Sequence, residues 1–507
     1  MRVLFVYTRE FPQSPIKPLV DFTAIQFGIS YISSYLKKHG HETRLLILTR
    51  ESNFSIIDRS LKDFGPQLIC FTAVASEYLF IEKIGKYVKE LYPDKFLLIG
   101  GVHVSLVPEE SMLDTFNALC IGEGEEASLE LVKQLEQGVS PSGIPNLWIK
   151  NDREIEKNPP RDFIADLDSF PFADRQMWIE WIDMERSPKV PYLLLGRGCP
   201  FNCTYCCNHA LRKLAGGTYV RLRSPQKIVE EIEEIVKQFP MVKEIYFEIE
   251  TFGANLKWAY ELCSKLEEFN AKRTLRLAFG VNLRVTPKVI ENEELFAVLK
   301  KSNFSYLNIG LESGSERVRR EILKRHYSNE DIIKAVFLAK KHKLDVVFYN
   351  LIGIPTETIS DFNETVKMNR KCLPLWNYLS IFYPYPGTDL FKLCDKKGIL
   401  PESLLASGKE RVKASLDLPD FSRKQIQKAF IWFNYYVYRG NKPILELAKN
   451  VLSSYLILYK GLRMFLLPFI ITRDFLSPSL KFHKEYQEYK LYFAIIVFIF
   501  LRLLKIK

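Results

Sequence analysis

Three cysteines in one short stretch constrain this 507-residue chain more than any other feature. Residues 196–209 read G-R-G-C-P-F-N-C-T-Y-C-C-N-H, which sets Cys199, Cys203 and Cys206 in the spacing C-x3-C-x2-C. Thiolates at that spacing can wrap one corner of a cubane iron–sulfur cluster, ligating three of its irons and leaving the fourth open. An open iron can bind a small molecule, whereas a four-cysteine cluster mainly carries electrons. A Cys3His zinc site completed by His209 is the competing reading, although zinc usually asks for a second cysteine or histidine pair. Nine cysteines, scattered through a large chain in which we read no signal peptide, fit a reducing compartment better than a disulfide framework. Cys207 is read as packing beside the third ligand. Cys70, Cys120, Cys263, Cys372 and Cys394 lie in apolar surroundings and are read as small core residues.

Length leaves room for two to four domains, and a hydrophobic content of 47% describes a core-forming globular chain. The net charge of +11 is concentrated at one end: residues 441–507 hold eleven Lys or Arg against four Asp or Glu. The rest is close to neutral, which argues against a basic nucleic-acid cleft and for a special role of the tail.

The first 140 residues alternate apolar strands with helical stretches. Strands are expected near 1–7, 42–48, 68–73, 95–99 and 118–121, with helices near 25–39 and 77–91. Such alternation implies a doubly wound, Rossmann-like parallel sheet. Gly100, Gly101, Gly122 and Gly124 follow strand ends, where these sheets bind ligands because the backbone can approach closely. A segment rich in Pro and Asp, residues 141–187, reads as a linker that docks one domain on the next.

Six further strands are expected at 192–196, 244–249, 275–280, 305–311, 344–350 and 377–383, again separated by helices. That spacing suggests a partial (β/α)6 TIM-type barrel over 188–400. The cysteine loop directly follows its first strand, at the rim where barrel enzymes place their chemistry.

The cysteine spacing, with aromatic Tyr205 before the last ligand, resembles the signature of the radical S-adenosylmethionine (SAM) superfamily. Later segments resemble the subgroup that carries a cobalamin (B12)-binding domain in front of the barrel, which includes anaerobic porphyrin-ring cyclases and class B methyltransferases. They are Phe247-Glu-Ile-Glu-Thr-Phe252, Gly310-Leu-Glu-Ser-Gly314, Gly353-Ile-Pro-Thr-Glu-Thr358, in which Thr356 stands where the family has glycine, and Pro384-Tyr-Pro-Gly-Thr388. At the front, Gly100-Gly-Val-His-Val-Ser-Leu-Val-Pro108 and Gly122-Glu-Gly-Glu-Glu126 resemble the strand ends of the cobalamin domain. The resemblance implies a [4Fe–4S] cluster, SAM bound at its open iron, and a 5′-deoxyadenosyl radical that abstracts hydrogen from an unactivated carbon. It places Glu250, with Glu248 as the other choice, near the SAM amino group. Arg284 would take the SAM carboxylate or pair at the surface, Glu312 and Ser313 would face SAM, and Gly353 would border the adenosine. Cobalamin would lie against Gly100, Gly101, Gly122 and Gly124. Residues 8–38 contain no histidine, which excludes the histidine-ligated mode of the mutases. His103 is a candidate corrin contact, with packing inside its loop as the competing reading.

Residues 401–507 read as helical. The runs 451–459, 464–471 and 491–501 are apolar and bordered by basic residues, a pattern suited to a helix lying on an anionic membrane surface; packing on the barrel or a dimer interface is the other reading. The expectation is therefore a cytoplasmic enzyme, peripheral on the inner face of the membrane if the tail binds there. It would methylate, cyclise or rearrange a hydrophobic or lipid-like molecule, with a ferredoxin or flavodoxin as electron donor and no nucleic acid. A cobalamin-free oxidoreductase, a methylthiotransferase of RNA or protein, and a cluster- or corrin-based sensor are the alternatives.

Overall fold

The computed structural model describes residues 1–10, 17–19, 25–111, 114–151, 154–184, 190–402, 404–405 and 410–458. It resolves into two units. The first comprises Met1–Gly310, Arg320–Val347 and Pro384–Gly408; the second comprises Leu311–Arg319, Phe348–Tyr383 and Lys409 onward.

The first unit opens with a seven-stranded sheet of β1 (Arg2–Arg9), β2 (Glu42–Thr49), β3 (Leu68–Thr72), β4 (Phe96–Gly100), β5 (Ala118–Cys120), β6 (Leu147–Asn151) and β7 (Glu154–Lys157). The order is β2-β1-β3-β4-β5-β6-β7. The first five strands are parallel, and β6 and β7 add an antiparallel hairpin. Both faces of the parallel part are covered. Val3 and Phe5 enter one core while Leu4 and Val6 enter the other. That is why the strand reads as an unbroken apolar run rather than an alternating one. Strand order reverses between β1 and β3, the place where open sheets of this kind leave a ligand crevice.

The hairpin β6–β7 lies inside the segment read as a linker, so part of that segment is sheet. The rest does dock. Trp178 is fully buried, donates from Nε1 to Ser30 Oγ at 2.8 Å and meets Tyr7 edge-on at 5.6 Å. Asp174 accepts from Ser33 Oγ at 2.6 Å and pairs with Lys37 at 2.7 Å.

Next come β8 (Tyr192–Leu194), β9 (Gly196–Arg197), β10 (Arg221–Leu222), β11 (Glu244–Glu248), β12 (Ala278–Leu283), β13 (Phe304–Glu312), β14 (Asp345–Ile352) and β15 (Trp376–Ile381). Six of them form a sheet in the order β15-β14-β13-β12-β11-β8. Its pairings from β8 to β13 are parallel. Five strands fall within two residues of expectation. The exception, β12, starts three residues late because Leu275 is 72% exposed and lies in the preceding loop.

On one face of β11–β13 the rings of Phe247, Phe279 and Phe304 pack together. The other face is polar. Tyr192, Tyr246, Gly280 and Tyr306 align in one row, and a Cβ at Gly280 would meet the Tyr306 ring at 2.2 Å. One row further along, Glu248 pairs with Leu194 and Asn282 with Asn308. Tyr246 donates to Asn282 and accepts from Asn308 Nδ2 at 2.8 Å.

In the second unit, helices Ile359–Cys372 and Arg423–Tyr438 begin with reciprocal caps, Thr358 with Asp361 and Ser422 with Gln425. Phe362 packs against Phe421 and Phe433. The apolar run at 451–459 falls largely on helix Ile444–Leu458, where Leu447 and Val451 are buried. The runs at 464–471 and 491–501 lie outside the described residues. Among the described residues no helix is long and apolar enough to cross a membrane.

Candidate cofactor centre

The cysteine loop is held by a tight backbone crossing. β9 pairs antiparallel with β10. A Cβ on Gly196 would stand 2.4 Å from Arg221 O, and one on Gly198, at φ +85°, 2.2 Å from Tyr219 O. Only glycine fits either place. Beyond them Cys199 and Cys203 are buried and Cys206 is half-buried. A turn bond from Cys206 N to Cys203 O at 3.1 Å folds the loop back.

Two guanidinium groups attend Cys203. Arg284 Nη1 donates to its Sγ at 3.1 Å while lying over the Phe201 ring at 3.6 Å. Arg325 Nη1 approaches the same sulfur at 4.0 Å, donates to Tyr205 Oη at 3.0 Å, and is anchored through Nη2 to Gly310 O at 2.9 Å. Cys206 receives an S–H from Cys207, and this holds its thiol down at about 7; Cys207 is raised by the same bond. Burial pushes Cys199 up to about 11. Asn208 Nδ2 reaches Cys206 Sγ at 3.6 Å, and its carbonyl accepts from Tyr219 at 2.6 Å.

Among the described residues no three His, Cys, Asp or Glu side chains converge on one ion. A cubane does not ask that of its ligands, since each thiolate takes its own iron. The donor set fits such a cluster: three thiols from one loop, with guanidinium donors to stabilise a thiolate. His209 does not complete a zinc site; its Nε2 lies 3.3 Å from Asp389 Oδ1.

Glu250 follows β11, and its charge reaches Cys199 and Cys206. Its carboxyl is raised by the crowding of its surroundings, partly offset by a hydrogen bond from Asn208, although the side chain keeps solvent access at the rim. Burial, followed by the charge of Glu250, lifts Glu248 to about 7. A cationic ligand group placed beside these two acids would restore their charged forms.

At the C-terminal ends of β3, β4 and β5 a cavity of about 270 Å³ opens. All four glycines named from the sequence, Gly100, Gly101, Gly122 and Gly124, line it. Gly101 has φ +102°, and a Cβ there would stand 2.7 Å from Ala73 N and O. Cys70 and Cys120, read as core residues, also line the cavity, and burial raises both thiols. Glycine at those four positions of its lining leaves the backbone open to close approach by a ligand.

His103 is not among the lining residues. Its ring is buried against Tyr78 at 4.5 Å, and burial pushes it down to about 4, so it is neutral. Ser313 lies in the second unit. It is fully buried, its Oγ lies 3.3 Å from Thr365 Oγ1, and it accepts from Ser315 N at 3.2 Å. Glu312 ends β13 half-buried at φ +60°. Gly353, at φ +72°, donates its N–H to the buried Glu357 at 2.5 Å. Thr356 sits at φ +68°, a conformation costly for a β-branched residue, which explains the glycine at that place in related sequences.

The sequence reading missed what joins the cavity to the cysteine loop. Arg197 Nη1 donates to Glu123 Oε1 at 3.0 Å and Nη2 to Glu125 Oε1 at 2.5 Å. Glu123 also accepts from Arg221 through both oxygens, at 2.8 and 2.9 Å. The flanking motifs were visible in the sequence, but partners more than seventy positions apart carry no local signal.

Comparison with known proteins agrees with this geometry. Residues 19–132 match the B12 binding domain and residues 193–368 match the Radical SAM superfamily. An uncharacterized methyltransferase of Pyrococcus horikoshii is 28% identical over 425 residues, 82% of this chain and 88% of that protein. The anaerobic magnesium-protoporphyrin IX monomethyl ester cyclase of Rubrivivax gelatinosus is 25% identical over 72% of this chain, which spans 65% of that protein's length. The solved structure of OxsB, a cobalamin-dependent SAM radical enzyme with aqua-cobalamin and SAM bound, aligns with a TM-score of 0.70 at 16% identity over 99% of this chain and 80% of that one, a likeness of fold. The chain is a radical SAM enzyme with an N-terminal B12-binding domain, of the family that holds cobalamin-dependent methyltransferases and cyclases, and its cofactors are a [4Fe–4S] cluster, SAM and cobalamin.

Proposed function

We propose that this enzyme methylates, or closes a ring on, an unactivated carbon of a hydrophobic, lipid-like molecule. One observation carries the reading: the glycine-lined cavity and the three-cysteine loop share Arg197, so the two cofactor sites adjoin within one unit. When bound, the cluster with SAM supplies a hydrogen-abstracting radical and cobalamin supplies a transferable methyl group.

The residues of the chain hold and orient. Arg284 and Arg325 stabilise the Cys203 thiolate. Glu250 offers an acid to the SAM amino group. Glu248, at about 7, can hold or release a proton near neutrality. The hydrophobic substrate class is supported by the macrocycle named in the cyclase relative and by the apolar runs of the C-terminal sequence. Those runs, bordered by Lys and Arg, also support contact with an anionic membrane surface, and a ferredoxin or flavodoxin would supply the electron.

The test is anaerobic turnover of reconstituted, cobalamin-loaded enzyme with trideuteromethyl-SAM and a lipid extract. Label in a product lipid together with 5′-deoxyadenosine establishes methylation. 5′-Deoxyadenosine with an unlabelled product that has lost hydrogen establishes ring closure. 5′-Deoxyadenosine with no altered lipid overturns the substrate class.

A further inference from the structure

The salt-bridged contact between the cavity and the cysteine loop is more than a domain seam. Arg197 stands two residues before Cys199, on a strand whose backbone is pinned by β10. Its guanidinium spans Glu123 and Glu125, which flank Gly124 where the loop after β5 enters helix Glu125–Glu136. Arg197, Glu123 and Glu125 all line the cavity. Tyr31 and Phe170 cover the guanidinium at 5.2 and 5.4 Å and restrict it. Glu123 has further anchors in Arg221 and in Ile164 N–H at 3.3 Å, whereas Glu125, almost fully buried, has Arg197 as its ion-pair partner. Any displacement of the Gly122–Glu125 loop therefore transmits to Arg197, and through a two-residue lever to the first cluster ligand.

We propose that Arg197 is a positioning residue that couples the two cofactor sites, so that an assembled cluster loop tightens corrin binding and a bound corrin tightens the cluster loop. The inference rests on cobalamin occupying the cavity. Linkage requires the coupling to be reciprocal, and a coupling between sites of this kind is typically about 5- to 150-fold. With a corrin in the cavity, Glu123, Glu125 and Arg197 would be the charged groups of its lining that meet the corrin's amide side chains.

The experiment measures hydroxocobalamin affinity of the full-length chain with its cluster reconstituted and with the iron removed by a chelator. Fold is checked by circular dichroism in both states. In the natural protein, cluster assembly is expected to tighten corrin binding about tenfold. In Arg197→Gln combined with Glu125→Gln, which removes both buried charges together and strands neither, the ratio is expected to fall to near one while the cluster still assembles. Arg197→Lys, which keeps the charge but loses the fork, should restore part of the ratio. Equal affinities with and without cluster in the natural protein overturn the coupling alone. So does an unchanged ratio in the double variant. Failure of the natural protein to bind hydroxocobalamin in either state overturns the cavity's assignment and the coupling with it.

Discussion

Arg284 donates its Nη1 hydrogen to the sulfur of Cys203 at 3.1 Å, with its guanidinium flat over Phe201. From the sequence this arginine was one of two things, a partner for the SAM carboxylate or a surface ion pair. In the structure it lies against the Cys203 thiol. Hydrogen bonds to charged acceptors contribute about 1.5–3 kcal/mol. Removing a cation beside the cluster also makes adding an electron harder.

Arg284→Met is therefore expected to keep the cluster, because Arg325 also attends Cys203, and to move its reduction potential to a more negative value. Redox titration followed by electron paramagnetic resonance measures this. An unchanged potential with weakened SAM binding would return Arg284 to the SAM carboxylate.

Gly28 lines the cavity from the first turn of helix Phe27–Lys38, and a Cβ placed there meets nothing within 4 Å. Gly28→Leu should raise thermal stability slightly, by up to ~1 kcal/mol from helix propensity. It should sharply reduce cobalamin retention after desalting, because the side chain fills the cavity. Undiminished retention would mean the corrin sits elsewhere.

Glu231 is buried between Arg175 and Arg223 and bonds both, Arg175 at 2.5 Å. Burial alone would raise its carboxyl, but the two guanidinium groups outweigh burial and hold it below its ordinary value of 4.5. Its contribution is thus present above that value and lost as pH falls through the lowered one. Glu231→Gln leaves two cations facing a neutral amide and is expected to cost about 3–5 kcal/mol. Denaturant unfolding checks this, and a loss below about 1 kcal/mol would show the pair to be solvated.

Glu357 behaves with the opposite sign. It is buried, accepts from Gly353 and Ile354 N–H, and is raised from 4.5 to about 8 by burial. The folded state keeps this proton where the unfolded chain loses it. Stability is fully present below 4.5 and falls through the interval up to about 8, by about 1.4 kcal/mol per pH unit. Glu357→Gln keeps an oxygen for the two N–H groups and should flatten that slope, read as the denaturation midpoint across the interval. An equal slope in the variant would assign the pH dependence to other groups.

How much was legible without the structure can be followed residue by residue. Cys199, Cys203 and Cys206 were readable as a motif because such a loop is local: eight positions and two obligatory glycines define it. Gly100, Gly101, Gly122 and Gly124 were readable because strand periodicity and a turn suffice to place them at strand ends. Leu275 misled, since an apolar residue in a loop resembles the start of a strand. For His103 and Ser313 the sequence shows that a polar side chain is present, not which way it turns. Tyr78 and Thr365, respectively, took them inward.

The sequence by itself determined the parallel strands of the two sheets, the chemistry of the cysteine loop and the glycine turns at the strand ends, each of which depends on residues within a few positions of one another. Tertiary structure alone decided that Arg197 meets Glu125, that Glu231 lies between two arginines, and that Arg284 meets Cys203. Those pairings close loops of different lengths through a packed interior, and the desolvation of a charge selects its partner only after the strands have set both side chains in the same place.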